Sequence, residues 1–463
     1  MDSDSDFLPT ETLQDLDAAH HMHPFTDGGA LNAERARVVA AADGVMITDT
    51  EGKTYLDGMA GLWCVNIGYG RHELPEVAAR QMRQLPYYNT FFHTTNRPAV
   101  ALSQKLAEVT PGNLSHSFFA GSGSEANDSN LRIVRRYWEV LGKPGKTIVI
   151  SRKNAYHGST MGSASMGGMA YMHSQGGLPI PDITHIGQPY WYGEGEGTDE
   201  AEFGLVRARE LETEIRRLGE DRVAAFIAEP VLGAGGVIIP PDTYWPEIQR
   251  ICDAYEILLI VDEVICGFGR TGNWFGSDTF GIRPDIVTVA KGLSSGYVPI
   301  GASVVSGEIA NALYDSGEFN HGYTYSGHPV ACAVALENIR ILQEENIIAY
   351  SGEVATPYLA ERWATLGDHP LVGEARSCGL MAAIELTPDK ATRAAFKGEA
   401  ERVGGICREN CFRNGLIMRS VLDSMVISPP LIITKDEIDL LVERAGLALD
   451  ETLEEAARLG LMS

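Results

Sequence analysis

The chain has 463 residues, 44% of them hydrophobic and 21% charged, a composition that suits a globular enzyme of two or three structural units. Its formal net charge is −25, from 62 acidic against 37 basic residues, which makes nucleic-acid phosphates and anionic lipid poor partners. No run approaches the ~20 apolar residues of a membrane span. Seven scattered cysteines, without a CxxC pair, fit reduced thiols better than a disulfide framework. The opening stretch MDSDSDFLPT has no apolar core, so no secretory signal is expected and the protein is expected in the cytoplasm.

In chain order, residues 1–70 read as a helix, a loop and short strands, among them VMITDTEGKTYLDG with a Glu51-Gly52 turn. From about residue 75, short apolar runs alternate with helical periodicity: SFFA (117–120), TIVIS (147–151), VAAFIAEP (223–230), ILLIVDEV (257–264), DIVTVAKG (285–292) and GASVVS (301–306). Amphipathic segments such as 127–141 and 244–255 lie between them. Nearly all-apolar strands flanked by helices indicate an α/β fold with a mostly parallel central sheet covered on both faces. Beyond residue 330, long helices are expected over 328–344, 353–366, 396–413 and 435–457, around short strands near MAAIEL and MVISPPL. The expected division is 1–74 as an N-terminal arm and part of a small α+β domain, 75–330 as the large domain, and 331–463 as the rest of the small one.

Parallel α/β sheets bind ligands beyond the carboxyl ends of their strands. Three informative strings fall there. AGSGSEAND (Ala120–Asp128) follows a strand and opens a helix. Its small residues let the backbone approach a phosphate, with the N–H groups of Gly123, Ser124 and Glu125 and the helix dipole attracting it. The string also fits the dinucleotide pattern G-x-G-x-x-A, but the next strand ends in Ser151-Arg152 and brings no acid for a ribose hydroxyl. A plain glycine-rich turn with an N-cap remains the bland alternative.

In ILLIVDEVICGFGRTG, Asp262 ends an apolar strand. A carboxylate in so dry a place needs a partner, and a protonated heteroaromatic nitrogen suits it. Magnesium binding is a rival without a phosphate-binding loop to accompany it, and a structural salt bridge is another. In VTVAKGLSSG, Lys291 follows an apolar strand, where desolvation lowers an ammonium's pKa and favours Schiff-base chemistry. A snorkelling surface lysine is the competing reading.

Taken together, these strings resemble the class III (ω-amino acid:pyruvate) aminotransferases, a branch of the fold-type I pyridoxal-phosphate enzymes. Nine anchors appear in order: GLWCVNIGYG, YYNTFFHTTN, SGSEAND, YHGSTMG, EPVLGAGG, DEVICGFGRTG, AKGLSSGYVPIG, HGYTYSGHPV and a late GLIMRS…SPPL. Within the class the chain resembles the pyruvate-dependent ω-transaminases.

That resemblance implies roles. Lys291 would hold the cofactor as a Schiff base and then shuttle a proton as general acid–base. Asp262 would pair with the pyridinium nitrogen. Ser122, Gly123 and Ser124 would hold the phosphate. Tyr156 would stack on one ring face and Val264 on the other, with His157, Glu229 and Tyr323 completing the cofactor surroundings. Thr324 would reach the phosphate of a neighbouring subunit's cofactor, implying a homodimer, or a dimer of dimers, with shared active sites. Arg419 would clamp the carboxylate of pyruvate and swing aside for amines. Trp63, Phe91 and Tyr156 would line the apolar end of the pocket, and Phe25, on the arm, would close it. His20, His21 and His23 are read as part of that arm rather than as a metal site, because no carboxylate or cysteine set accompanies them.

The implied reaction is ping-pong, from an amine donor to pyruvate, giving alanine. β-Alanine, taurine, diamines such as putrescine, and 1-arylethylamines are all candidate donors. An aminomutase, racemase or decarboxylase on the same scaffold, a non-catalytic cofactor-binding regulator and a nicotinamide dehydrogenase are the alternatives.

Overall fold

The computed structural model describes residues 8–398 and 401–462. Most of the acidic opening stretch, and positions 399–400 of the helix expected over 396–413, lie outside the described residues.

Seven strands form the central sheet: β1 (Leu114–Ala120), β2 (Ile148–Arg152), β3 (Ile183–Ile186), β4 (Val223–Ala228), β5 (Leu258–Asp262), β6 (Ile286–Val289) and β7 (Gly301–Ser306). Their spatial order is β1-β7-β6-β5-β4-β2-β3. Neighbours from β6 to β3 are parallel, whereas β7 is antiparallel to both β6 and β1. Only β7 is therefore reversed, and the other six strands end at one edge. Every residue of β4, β5 and β6 is buried, which explains why these strands are continuous apolar runs rather than alternating ones. β3 escaped the sequence reading: its four residues, ITHI, are too few to show a period and carry a histidine.

The helix expected over 127–141 begins earlier, at Gly123, because the Ser122 hydroxyl accepts the Glu125 N–H at 3.2 Å and caps it. The one expected over 244–255 is found as Tyr244–Tyr255. That expected over 353–366 is α-helical only from Thr356 to Ala364, with Pro357 in its first turn. The C-terminal helix Lys435–Arg458 starts at a reciprocal Thr434–Glu437 cap.

Two smaller sheets flank the large one. Val39–Asp43, Met46–Asp49 and Thr54–Asp57 form antiparallel neighbours, and Leu416–Ile417 joins Thr54–Asp57 in parallel, so N-terminal and C-terminal segments share a sheet. Val372–Cys378, Met381–Leu386, Ser424–Ile427 and Arg419–Val421 make an antiparallel sheet. Arg270, fully buried, fastens these parts together. It donates to Asn66 Oδ1 at 2.9 Å, to the Leu380 carbonyl at 3.2 Å and to the Pro429 carbonyl. No helix among the described residues is long and apolar enough to cross a membrane.

Candidate active site

The common strand edge encloses a cavity of about 310 Å³, within the size range of small-molecule sites. Ser122, Gly123, Ser124, Tyr156, His157, Glu229, Asp262, Val264 and Lys291 all line it. Nine residues drawn from five separate strings of the sequence thus meet in one place.

Their positions follow from the strands. Asp262 is the last residue of β5, Glu229 follows β4, and Lys291 stands two residues past β6. Lys291 has φ +43°, a left-handed conformation that costs a non-glycine residue about 1–2 kcal/mol. Such strain at the end of a strand aims the side chain rather than continuing the sheet. Burial pushes the Lys291 ammonium below its ordinary value, while Cys64, Asp262 and Glu229 pull it partly back. A lysine tuned downward in this way can act as a nucleophile and move protons.

Asp262 is almost fully enclosed. Its Oδ2 receives Asn127 Nδ2–H and His157 Nδ1–H, both at 2.8 Å, and its Oδ1 receives the Val264 N–H at 3.1 Å. Because a carboxylate only accepts, the His157 proton is assigned to Nδ1. These donors fix the orientation of the carboxylate, which faces the cavity. His157 Nε2 is buried without a hydrogen-bond partner among the described residues. Glu229 takes the Tyr156 N–H at 3.1 Å on one oxygen and the Gly233 N–H at 2.9 Å on the other. Burial raises its pKa, and its two accepted N–H bonds tie Tyr156 to the segment at Gly233.

The opposite wall is an anion cradle. The Ser122 cap uses the Glu125 N–H, and among the described residues the N–H groups of Gly123 and Ser124 have no backbone partner. A Cβ on Gly123 would meet Val264 Cγ2 at 2.9 Å, and one on Gly158 would meet Ser124 Oγ at 2.5 Å. Backbone therefore approaches the cavity where a phosphate needs close N–H donors at a helix N-terminus.

The remaining expected residues lie elsewhere in the chain. Trp63 does not line the cavity: it packs in an apolar cluster with Met59, Val231 and Ile265, behind the wall that Ile265 forms. Phe91 packs close to Gly322 and against Phe92, whose ring centroid is 5.8 Å away. Tyr323 donates to the Glu125 carbonyl at 3.1 Å, and Thr324 is exposed, its carbonyl accepting from Tyr87 at 2.7 Å. Phe25 is exposed but meets Tyr156 edge-on at 6.3 Å. Arg419 is partly buried and makes no ion pair among the described residues. Burial lowers its pKa, against an opposing charge effect from Tyr171 and Tyr156.

Several residues were missed. Asn127, which holds Asp262, sits inside the SGSEAND string one helical turn after the cradle, and that spacing was the available signal. Cys64 lines the cavity but was read only as a scattered thiol. A carboxylate does stand beside two of the arm histidines: Asp17 accepts from His21 at 3.0 Å and from His23 at 2.8 Å.

A sheet edge presenting a lowered lysine, a pinned carboxylate and a phosphate cradle defines a pyridoxal-phosphate-dependent enzyme of fold-type I. The comparisons with known proteins narrow this. Residues 30–449 match the model of the family Aminotransferase class-III. A putrescine–pyruvate aminotransferase of Pseudomonas aeruginosa is 56% identical over 452 residues, which cover 98% of this chain and 99% of that protein. Among solved structures, a thermostable (S)-enantioselective ω-transaminase from Thermomicrobium roseum superposes with a TM-score of 0.93 at 44% identity, over 96% of this chain and 99% of that one. The ω-transaminase of Pseudomonas jessenii in complex with PMP gives 0.93 at 41% identity, with the same coverage. The chain belongs to the class III aminotransferases, and it is a pyridoxal-phosphate-dependent aminotransferase.

The residues present fit that cofactor. Gly123 and Ser124 would hold its phosphate, Asp262 its ring nitrogen, Tyr156 and Val264 its faces, and Lys291 its aldehyde. When bound, the cofactor supplies an aldehyde carbon that takes up an amino group and a ring that withdraws electrons from the adjacent C–H bond. The chain would do the rest: Asp262 would face the ring nitrogen, and the Lys291 amine would remove and return the proton.

Proposed function

We propose that this aminotransferase moves an amino group from an amine or ω-amino acid donor to pyruvate, giving alanine, in two half-reactions that use one pocket. The observation that carries this reading is Arg419, a partly buried guanidinium without an ion-pair partner among the described residues, beside Tyr156 and Tyr171. A free guanidinium at the rim of an apolar pocket suits a keto acid's carboxylate, which it can grip with two parallel hydrogen bonds. The aromatic surroundings suit an uncharged alkyl or aryl chain when the arginine is turned away. The relative from Pseudomonas aeruginosa, named for putrescine and pyruvate, supports pyruvate as acceptor and puts diamines first among the donors.

The reading extends to assembly. Thr324 lies exposed on a loop away from its own chain's cavity, which supports a homodimer in which each subunit's Thr324 completes its neighbour's phosphate site. Seven unpaired cysteines support a cytoplasmic setting.

The test is a donor panel of putrescine, β-alanine, taurine and a 1-arylethylamine, each with pyruvate, read by alanine formation. Putrescine is expected to give alanine at the highest rate. No alanine from any donor would remove pyruvate as the acceptor.

A further inference from the structure

We propose that the N-terminal arm carries a binding site for a divalent transition-metal ion, formed by the Asp17 carboxylate, His21 Nδ1 and His23 Nε2. Asp17 and His21 lie one turn apart at the end of the helix Thr10–His20. At His21 the backbone becomes extended, and the chain brings His23 back onto the same carboxylate. His21 Nδ1 lies 3.0 Å from Asp17 Oδ1, and His23 Nε2 lies 2.8 Å from Oδ2. All three ligand atoms fall within 4.8 Å of one another.

These separations match what an ion requires. Zinc takes imidazole nitrogen and carboxylate oxygen at about 2.0–2.2 Å in a tetrahedron, so two adjacent ligand atoms around it stand roughly 3.3–3.6 Å apart. From 3.0 and 2.8 Å, Asp17 and its two histidines need to spread by roughly half an ångström to admit one. Two imidazoles select zinc, nickel or copper over magnesium and calcium, which prefer all-oxygen sites. A hollow of about 500 Å³, lined by His21, His23, Thr26 and Asn32 among others, adjoins the cluster and leaves room for water to complete the coordination. The chain's net charge of −25 favours any cation.

The location gives the site a consequence. His23 is two residues before Phe25, whose ring meets Tyr156 at the active-site cavity. An ion joining Asp17 to His23 fixes the start of the segment that carries Phe25.

The competing account is a pair of ordinary hydrogen bonds that close the helix end, and titration separates the two. Metal-free holoenzyme is titrated with Zn²⁺ in competition with a chromophoric chelator, alongside His21→Ala, His23→Ala and the double variant. These side chains lie on the arm outside the apolar core, and unchanged cofactor absorbance confirms that each variant is folded. The expected result is one ion per chain in the wild type, affinity weakened by more than about tenfold in each single variant, and no site in the double variant. No uptake by the wild type, or equal uptake by the double variant, would overturn the proposal.

Discussion

His157 Nδ1 lies 2.8 Å from Asp262 Oδ2, with both side chains almost fully enclosed. The same oxygen takes Asn127 Nδ2–H, so one carboxylate is oriented by a loop and a helix at once. That arrangement holds Asp262 in place where the cofactor's ring nitrogen would lie. Asp262→Asn removes the charge with little change in shape. It is expected to cut turnover by about 10²–10³-fold, the usual cost of losing one preorganised electrostatic contact. Steady-state alanine formation measures this, and a loss of less than tenfold would remove Asp262 from the role (a tenfold change being about 1.4 kcal/mol).

Gly158 has φ +133°, and a Cβ there would meet Ser163 Oγ at 2.4 Å and Ser124 Oγ at 2.5 Å. Gly158→Ala therefore combines backbone strain of about 1–3 kcal/mol with displacement of the cradle serine. Weaker cofactor retention on dialysis and a lower melting temperature are the expected outcomes. Wild-type retention would show that the cradle is not built on this contact.

Glu263, next to Asp262, is fully buried and accepts from Gly276 N–H, Ser277 N–H and the Ser277 hydroxyl at 2.9, 2.6 and 2.7 Å. Burial outweighs these donors and raises its pKa from 4.5 to about 7. The folded state therefore binds a proton that the unfolded state has released between those values. Stability from this group is complete below the unfolded value and is lost as pH rises through the folded one. Compared with Glu263→Gln, whose amide does not titrate, the wild type's melting temperature should fall between about pH 5 and about pH 8. A relative rise over that interval would contradict the sign.

Arg419 should matter to one half-reaction only. Hydrogen bonds to a charged group contribute about 1.5–3 kcal/mol, so Arg419→Ala is expected to lower kcat/KM for pyruvate by roughly 10–100-fold. The half-reaction with an uncharged alkylamine should change little. Single-turnover rates for each half, followed by cofactor absorbance, provide the check. Equal losses in both would mean that Arg419 does not clamp the carboxylate.

The residues at the strand ends were legible in the sequence because of their contrast with what precedes them. Asp262 follows an entirely apolar run and Lys291 one broken only by Thr288, and a sheet buried on both faces needs such runs. What stayed hidden depends on long-range folding or on local geometry without a period. β3 is too short to announce itself. Trp63, expected in the pocket lining, has φ +63° and turns into the cluster around Met59, which no periodicity signals. Asp17 and His21 share the spacing of one helical turn, but the return of His23 to the same carboxylate depends on how the chain leaves the helix. Arg270 was visible only as a motif letter, although it joins segments some 200 residues apart, from Asn66 to Arg270 and on to Pro429.

The central claim is that Lys291 holds the cofactor covalently, and borohydride reduction of the purified holoenzyme followed by peptide mapping tests it most directly. The account predicts a stable phosphopyridoxyl group on the peptide containing Lys291 and loss of activity in step with its formation. An unmodified Lys291 in fully reduced, inactive enzyme, or an adduct on a different lysine, would contradict it.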